Sequence, residues 1–113
     1  MNIIKQSREI TKKELYDITK SKKIGKIKDL DGQQVDLDFF VLYETPDTDG
    51  EIRTVTAIRT VEGEVYASNS KTVAESFLDM LDIFDPEEIH TIEIVPQLNK
   101  SGSRTYYFVT YIK

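Results

Sequence analysis

Five stretches of this chain carry the two-residue periodicity of β-strands, and one helical pattern stands between the third and the fourth. The first stretch, VDLDFFVLYE at 35–44, starts with one wet face and becomes apolar on both. TPDTDG breaks it, and EIRTVTAIRTV at 51–61 follows, rich in the branched side chains that favour strands. Glu62-Gly63 turns the chain into the short EVYAS at 64–68. The fourth run is IHTIEIV at 89–95, then a polar loop from Pro96 to Ser103, then RTYYFVTYIK. The order β–β–β–α–β–β is that of the OB-fold, a small, partly open five-stranded Greek-key barrel. Other small barrels, and α+β sheets packed on one helix, share that order. The closing run places Tyr106, Tyr107, Phe108 and Tyr111 on both of its faces. In a barrel, one set of rings fills the interior and the other is covered by a neighbour or a ligand. Alternation alone does not say which set points inward.

The helical pattern is SKTVAESFLDMLDIFD at 70–85. Val73, Phe77, Met80, Leu81 and Phe84 form one apolar stripe. Thr72 and Glu75 have capping-box spacing, and Asp85-Pro86 stops the helix. A second capping box, Thr11 to Glu14, opens a short helix expected over 11–20 with Leu15 and Ile18 apolar. The SKKIGKIKDL segment reads either as a linker or as an extended stretch ending at Asp31-Gly32. The expected organisation is a basic N-terminal arm with a short helix at 1–28 and an OB-like domain at 29–113.

The net charge of −5 would discourage a nucleic-acid partner, but its distribution matters more. Residues 1–28 hold nine Lys/Arg against three acids, a local +6 that leaves −11 for the rest. A basic arm on an acidic body points to a charged partner as readily as to a solvated helix with a linker. A groove feels only its local field. The chain has no cysteine, so disulfides and thiolate chemistry are excluded. No apolar run approaches the roughly 20 residues of a membrane span. MNIIKQSREI carries no signal-peptide core, so a cytoplasmic location is expected.

No catalytic constellation emerges, and a non-enzymatic protein is expected. Ser68, Ser70, Lys71 and Thr72 match no nucleophile or phosphate-loop spacing. His90 is the sole histidine, and with no cysteine no metal site is expected. Asp47-Thr48-Asp49-Gly50-Glu51 lacks the later ligands of a calcium loop and reads as a hairpin turn. No cofactor is implied. Lys71 stands at a helix start, where a cation is unfavourable unless an anion is near.

Rings and cations remain. Single-strand-binding OB surfaces stack bases on exposed aromatics, and the first and last hairpin loops flank the site. Tyr43 stands at the mouth of the first loop and Tyr66 on the third strand. Lys100 lies in the last loop and Arg104 at its edge. Arg53 and Arg59 share one face of the second strand and are the only cations between Asp29 and Ser70. The candidate nucleic-acid-binding residues are therefore Tyr43, Arg53, Arg59, Tyr66, Lys71, Lys100, Arg104 and Tyr107.

VYASNSKTVAESFLDMLDIF, followed by IEIVPQLNKSGSRTYYF, resembles the single-stranded DNA-binding proteins of small Bacillus phages that replicate by protein priming. The resembling residues are Val65 to Ser68, Ser70 to Glu75, Ile92 to Val95, Asn99 to Ser103 and Tyr106 to Ile112. The resemblance spans roughly 35–113 and is best at 64–84. It implies an OB-like fold, binding of single-stranded DNA without sequence preference, and coating of displaced strands during phage DNA replication. It also implies stacking by Tyr66 and Tyr43. A further tyrosine expected after Tyr43 is absent, since ETPDTDG stands there. The implied partner is single-stranded DNA; the acidic helix face could dock replication proteins, and the arm, which lies outside the resemblance, could serve self-association. The rival expectation is a non-enzymatic protein–protein adaptor of a phage or mobile element.

Overall fold

The computed structural model describes all 113 residues. Its architecture follows from one long strand. Gln34–Pro46 (β3) is 13 residues long and hydrogen-bonds on both edges. One edge pairs antiparallel with Ile52–Thr60 (β4), from Leu37↔Thr60 to Pro46↔Ile52. The other edge is shared. Its start pairs with Thr91–Leu98 (β6) at Gln34↔Glu93 through Asp36↔Thr91. Its end pairs with Asn2–Gln6 (β1) at Gln6↔Val41 through Asn2↔Glu44. A register shift between Leu37 and Phe39 separates the two halves, where a bulge bends and twists a strand.

The curled sheet runs β2-β5-β4-β3-β6-β7, with β1 beside β3. Here β2 is Gly25–Lys26, β5 is Val65–Ser68 and β7 is Thr105–Tyr111. The fold is the expected all-β, OB-like half-barrel with one main helix. No ladder joins β5 to β7, so the barrel keeps an open seam. β2 pairs parallel with the edge of β5 on one side of that seam, with Lys26 opposite Ala67.

Both faces of β3 are buried, each for a different reason. Phe40 and Leu42 point into the main core with Ile58, Phe77, Ile92, Ile94 and Val109. Phe39, Val41 and Tyr43 point the other way and form a second core with Ile18 and Ala57. That second core is roofed by Lys12–Thr19 (α1), whose Leu15 and Ile18 supply the apolar side. The Thr11–Glu14 capping box forms as expected, with amide-to-side-chain distances of 3.1 and 2.9 Å.

The N-terminal segment is therefore tied to the sheet. Ser7 exchanges two hydrogen bonds with Phe40, its Oγ accepting at 2.9 Å and its amide donating at 3.1 Å. The Arg8 guanidinium lies 4.5 Å from the Phe39 ring centroid and donates to Glu14 at 2.8 Å and Asp38 at 3.2 Å. Arg8, with help from the Thr11 amide, holds the Glu14 carboxyl down at about 2.

Lys71–Leu81 (α2) connects β5 to β6 and buries Val73, Ala74, Ser76, Phe77 and Met80. Its cap differs from the expected one. Ser70 is the N-cap, accepting the Val73 amide at 3.4 Å, and Thr72 lies inside the first turn. The Phe77 ring centroid sits 5.0 Å from that of Phe40. No helix is long and apolar enough to cross a membrane.

The parity of the last strand is settled by burial. Tyr107, Val109 and Tyr111 face the main core, and Tyr111 stacks on Phe84 with centroids 4.0 Å apart. Tyr106 and Phe108 lie on the opposite face in edge contact at 5.2 Å. β6 continues through Pro96 to Leu98, further than the expected 89–95. Pro96 is tolerated because it lies beyond the short β3 ladder. Its missing N–H falls on the same edge as that of Ile94, whose amide makes the last bond to the residues leading into β3.

Two expectations follow. Phe77→Ala should lower unfolding free energy by about 3–5 kcal/mol, read by denaturant titration, because the fully buried ring leaves a cavity. The Glu14 contribution depends on pH. Its folded pKa lies below the ordinary 4.5, so the stabilisation is complete above 4.5 and is lost as pH falls toward about 2. Amide protection factors across α1 should fall in that window, and Glu14→Gln should abolish that pH dependence.

Candidate nucleic-acid interface

The open seam forms a groove of about 1040 Å³. One wall is the end of β5 and the start of α2, from Ala67 to Val73. The other wall is Asn99 and Arg104 to Tyr107, from the β6–β7 loop and the start of β7. Lys26, Ile27 and Lys28 close one flank. Apolar atoms of Ile27, Val55, Ala67 and Val73 also line it.

Four cations line this groove, Lys26, Lys28, Lys71 and Arg104, and no carboxylate does. Each is placed by a local feature. Lys26 is held by the β2–β5 pairing. Lys28 follows in a 3₁₀ turn, Ile27–Leu30, anchored by its two buried end residues. Lys71 is the first residue of α2, 89% exposed at its side chain, with its nearest carboxylate, Glu75, at 3.8 Å. Arg104 ends the β6–β7 loop, its carbonyl accepting the Asn99 amide at 2.9 Å. The unfavourable cation at a helix start has a physical reading here: the helix end and the four cations reinforce one positive field. Tyr106 and Tyr107 add rings, and Ser68, Asn69, Ser70, Thr72 and Thr105 add small polar groups. Chemically, such a groove takes a polyanion with flat apolar groups.

Of the residues singled out from sequence, the groove brings together Lys71, Arg104 and Tyr107. Lys100 is exposed in the adjoining loop but does not line it. The other four lie elsewhere. Tyr43 is only 7% exposed in the second core, and burial pushes its phenol pKa up. Arg53 is held by Asp47 at 2.5 Å and lies 3.7 Å from Glu51. Arg59 lies 3.8 Å from Asp38 and 6.0 Å from the Phe39 ring centroid.

Tyr66 is half-buried against the main core, and its hydroxyl donates to Glu64 at 2.6 Å. That bond to a carboxylate raises its pKa. Gly25 packs directly on its ring, where an added Cβ would fall 2.8 Å from Cδ1. Tyr66, Arg59 and Lys23 line a second cavity of about 540 Å³, but Asp17 and Glu64 share it and offset the positive charge.

Lys26, Lys28 and Tyr106 also line the groove and are not among the residues singled out from sequence. The lysines were counted as part of an arm outside the domain. The signal for their return was Ile24, Ile27 and Leu30, spaced every third residue and two of them buried.

A family model described as phage single-stranded DNA-binding protein, of the phi29 type, matches residues 6–112. No curated protein and no solved structure matches the chain. The chain belongs to this phage single-stranded DNA-binding family, as the residues of its C-terminal two-thirds suggested. The match also takes in residues 6–28, which carried none of the resemblance. Family membership makes single-stranded DNA the ligand class and binding, not catalysis, the general role.

Proposed function

From that membership we propose that the chain coats displaced single strands during phage DNA replication, holding them in the seam groove without sequence preference. The observation that carries this reading is the groove's lining of four cations, two tyrosines and no carboxylate. Lys26, Lys28, Lys71 and Arg104 meet phosphates. Tyr106 and Tyr107 offer ring faces to bases, which suits any sequence because every base has a π-face. Lys100 extends the positive field at one mouth. Tyr66, with Lys23, marks where a longer strand would leave across β2. Tyr43, Arg53 and Arg59 serve chiefly to hold the sheet and its N-terminal roof together. The setting is the cytoplasm of the phage's host.

Titration with oligo-dT tests this through tyrosine fluorescence, which no tryptophan masks. Tyr106→Ala should weaken binding by about 1–3 kcal/mol, roughly fivefold to 150-fold, in a domain that remains folded. Each phosphate contact on a single strand contributes about −0.7 to the slope of log K against log salt. Lys26→Ala with Lys71→Ala should therefore flatten that slope by about 1.4. An unchanged slope together with unchanged Tyr106→Ala affinity would overturn the groove assignment. No quenching at all at low salt would favour a protein–protein adaptor.

A further inference from the structure

Lys26 is one of the four groove cations, and its place depends on the smallest strand of the fold. Only two register pairs tie β2 to β5, Gly25↔Tyr66 and Lys26↔Ala67. No further strand covers its other edge. Downstream, Ile27 and Leu30 are buried in the main core and fix Lys28 between them. Upstream, the nearest buried residue is Ile18, so the seating of Gly25 decides how Lys26 is held from that side.

Gly25 is a glycine for a steric reason. Of the five glycines it is the one whose φ is not positive, so its backbone conformation would accept any residue. The demand comes from Tyr66. A Cβ on Gly25 would lie 2.8 Å from the ring's Cδ1 and 3.0 Å from its Cε1. Carbon–carbon contact is optimal at about 3.5–4.0 Å. The ring has little room to retreat. Its body packs against the main core, and its hydroxyl donates to Glu64 at 2.6 Å. A ring clamped at body and tip is a rigid seat for the backbone that crosses it.

We propose that Tyr66 is a positioning residue for DNA binding: its ring seats Gly25 and thereby keeps the ammonium of Lys26 on the flank of the groove. This takes the place of the stacking role that the family resemblance implies for Tyr66. It rests on the seam groove as the DNA site and deepens that reading by naming what fixes one of the four cations. Tyr66 does not line the groove, so its effect reaches DNA through Lys26. The two roles differ in their dependence on salt. Stacking releases no counterions, so its loss persists at every salt concentration. A displaced cation removes one phosphate contact and takes about 0.7 off the slope of log K against log salt. The deficit is then about fivefold at roughly 0.1 M salt and vanishes on extrapolation to about 1 M.

Fluorescence anisotropy of dye-labelled oligo-dT, titrated with the full chain across a salt series, tests this without relying on tyrosine emission. The reference is Lys26→Ala, which should lower the slope by about 0.7. Tyr66→Ala and Gly25→Ala should each do the same. Tyr66→Phe, which keeps the ring, should keep the wild-type slope. In a Lys26→Ala background, Tyr66→Ala should change neither slope nor affinity further, because both act through one contact. Circular dichroism checks that the variants are folded, and Gly25→Ala removes no core atom, so the test does not hang on Tyr66→Ala alone. Tyr66→Ala and Gly25→Ala with the wild-type slope would overturn the positioning role and leave the groove standing. So would a Tyr66→Ala loss that persists undiminished at about 1 M salt or adds in full to that of Lys26→Ala. A wild-type slope in Lys26→Ala would overturn the groove's flank and this inference with it.

Discussion

The structure depends on a single strand that is apolar on both faces. At Phe39 to Tyr43, alternate side chains cannot share one core, so two cores must form, one on each side of the same backbone. The inner core closes the half-barrel and recruits α2. The outer core demands a roof, and α1 supplies it. This explains why a segment with nine cations among 28 residues is docked by apolar contacts and by Arg8. Arg8 meets a ring below it and two carboxylates beside it, so its burden is structural.

Docking the N-terminal segment has a second effect, on the electrostatics of the seam. After α1 the chain must travel from the outer face of the sheet to the start of β3. It does so along the edge of β5, and Lys26 and Lys28 come to rest on the flank of the groove. A chain that is acidic overall thereby acquires a locally cationic furrow. The acids are distributed elsewhere: some neutralise Arg53 and Arg59 on the sheet, and others collect at the far end of α2. Net charge and groove charge have opposite signs because the fold sorts them.

Element order and the main helix were legible because their periodicities are strong and uninterrupted, as in Val73, Phe77 and Met80. The small residues that set geometry were harder to read. Asn2–Gln6 lacks a clean alternation, and its strand is justified only by the edge that β3 leaves open. The two-residue strand at Gly25 is below any sequence period, and it is specified by tertiary contact with Tyr66. Among the residues that line the groove, Lys71 stands out in the sequence because a cation at a helix start is anomalous. Arg104 and Tyr107 came from the usual placement of the last hairpin. Arg53 and Arg59 looked free because their carboxylate partners are distant or undistinguished in sequence: Asp47 sits across a hairpin, and Asp38 on the neighbouring strand. Tyr43 looked wet because the roof over it comes from residues 10–18, which no local pattern connects to it.

The shared edge of β3 also bears on how the chain is made. One stretch of that edge waits for residues 2–6, already synthesised, and the other for residues 91–93, near the opposite terminus. The final carbonyl, that of Lys113, accepts the amides of His90 and Thr91 at 2.6 and 2.7 Å. A nascent chain on the ribosome can assemble the roofed outer core early. The inner core must wait for the last strands to emerge, and until then one edge of β3 stays bare. Such long-range closure is slow compared with helix formation. The seam groove thus exists only once β7, the last strand to emerge, is in place.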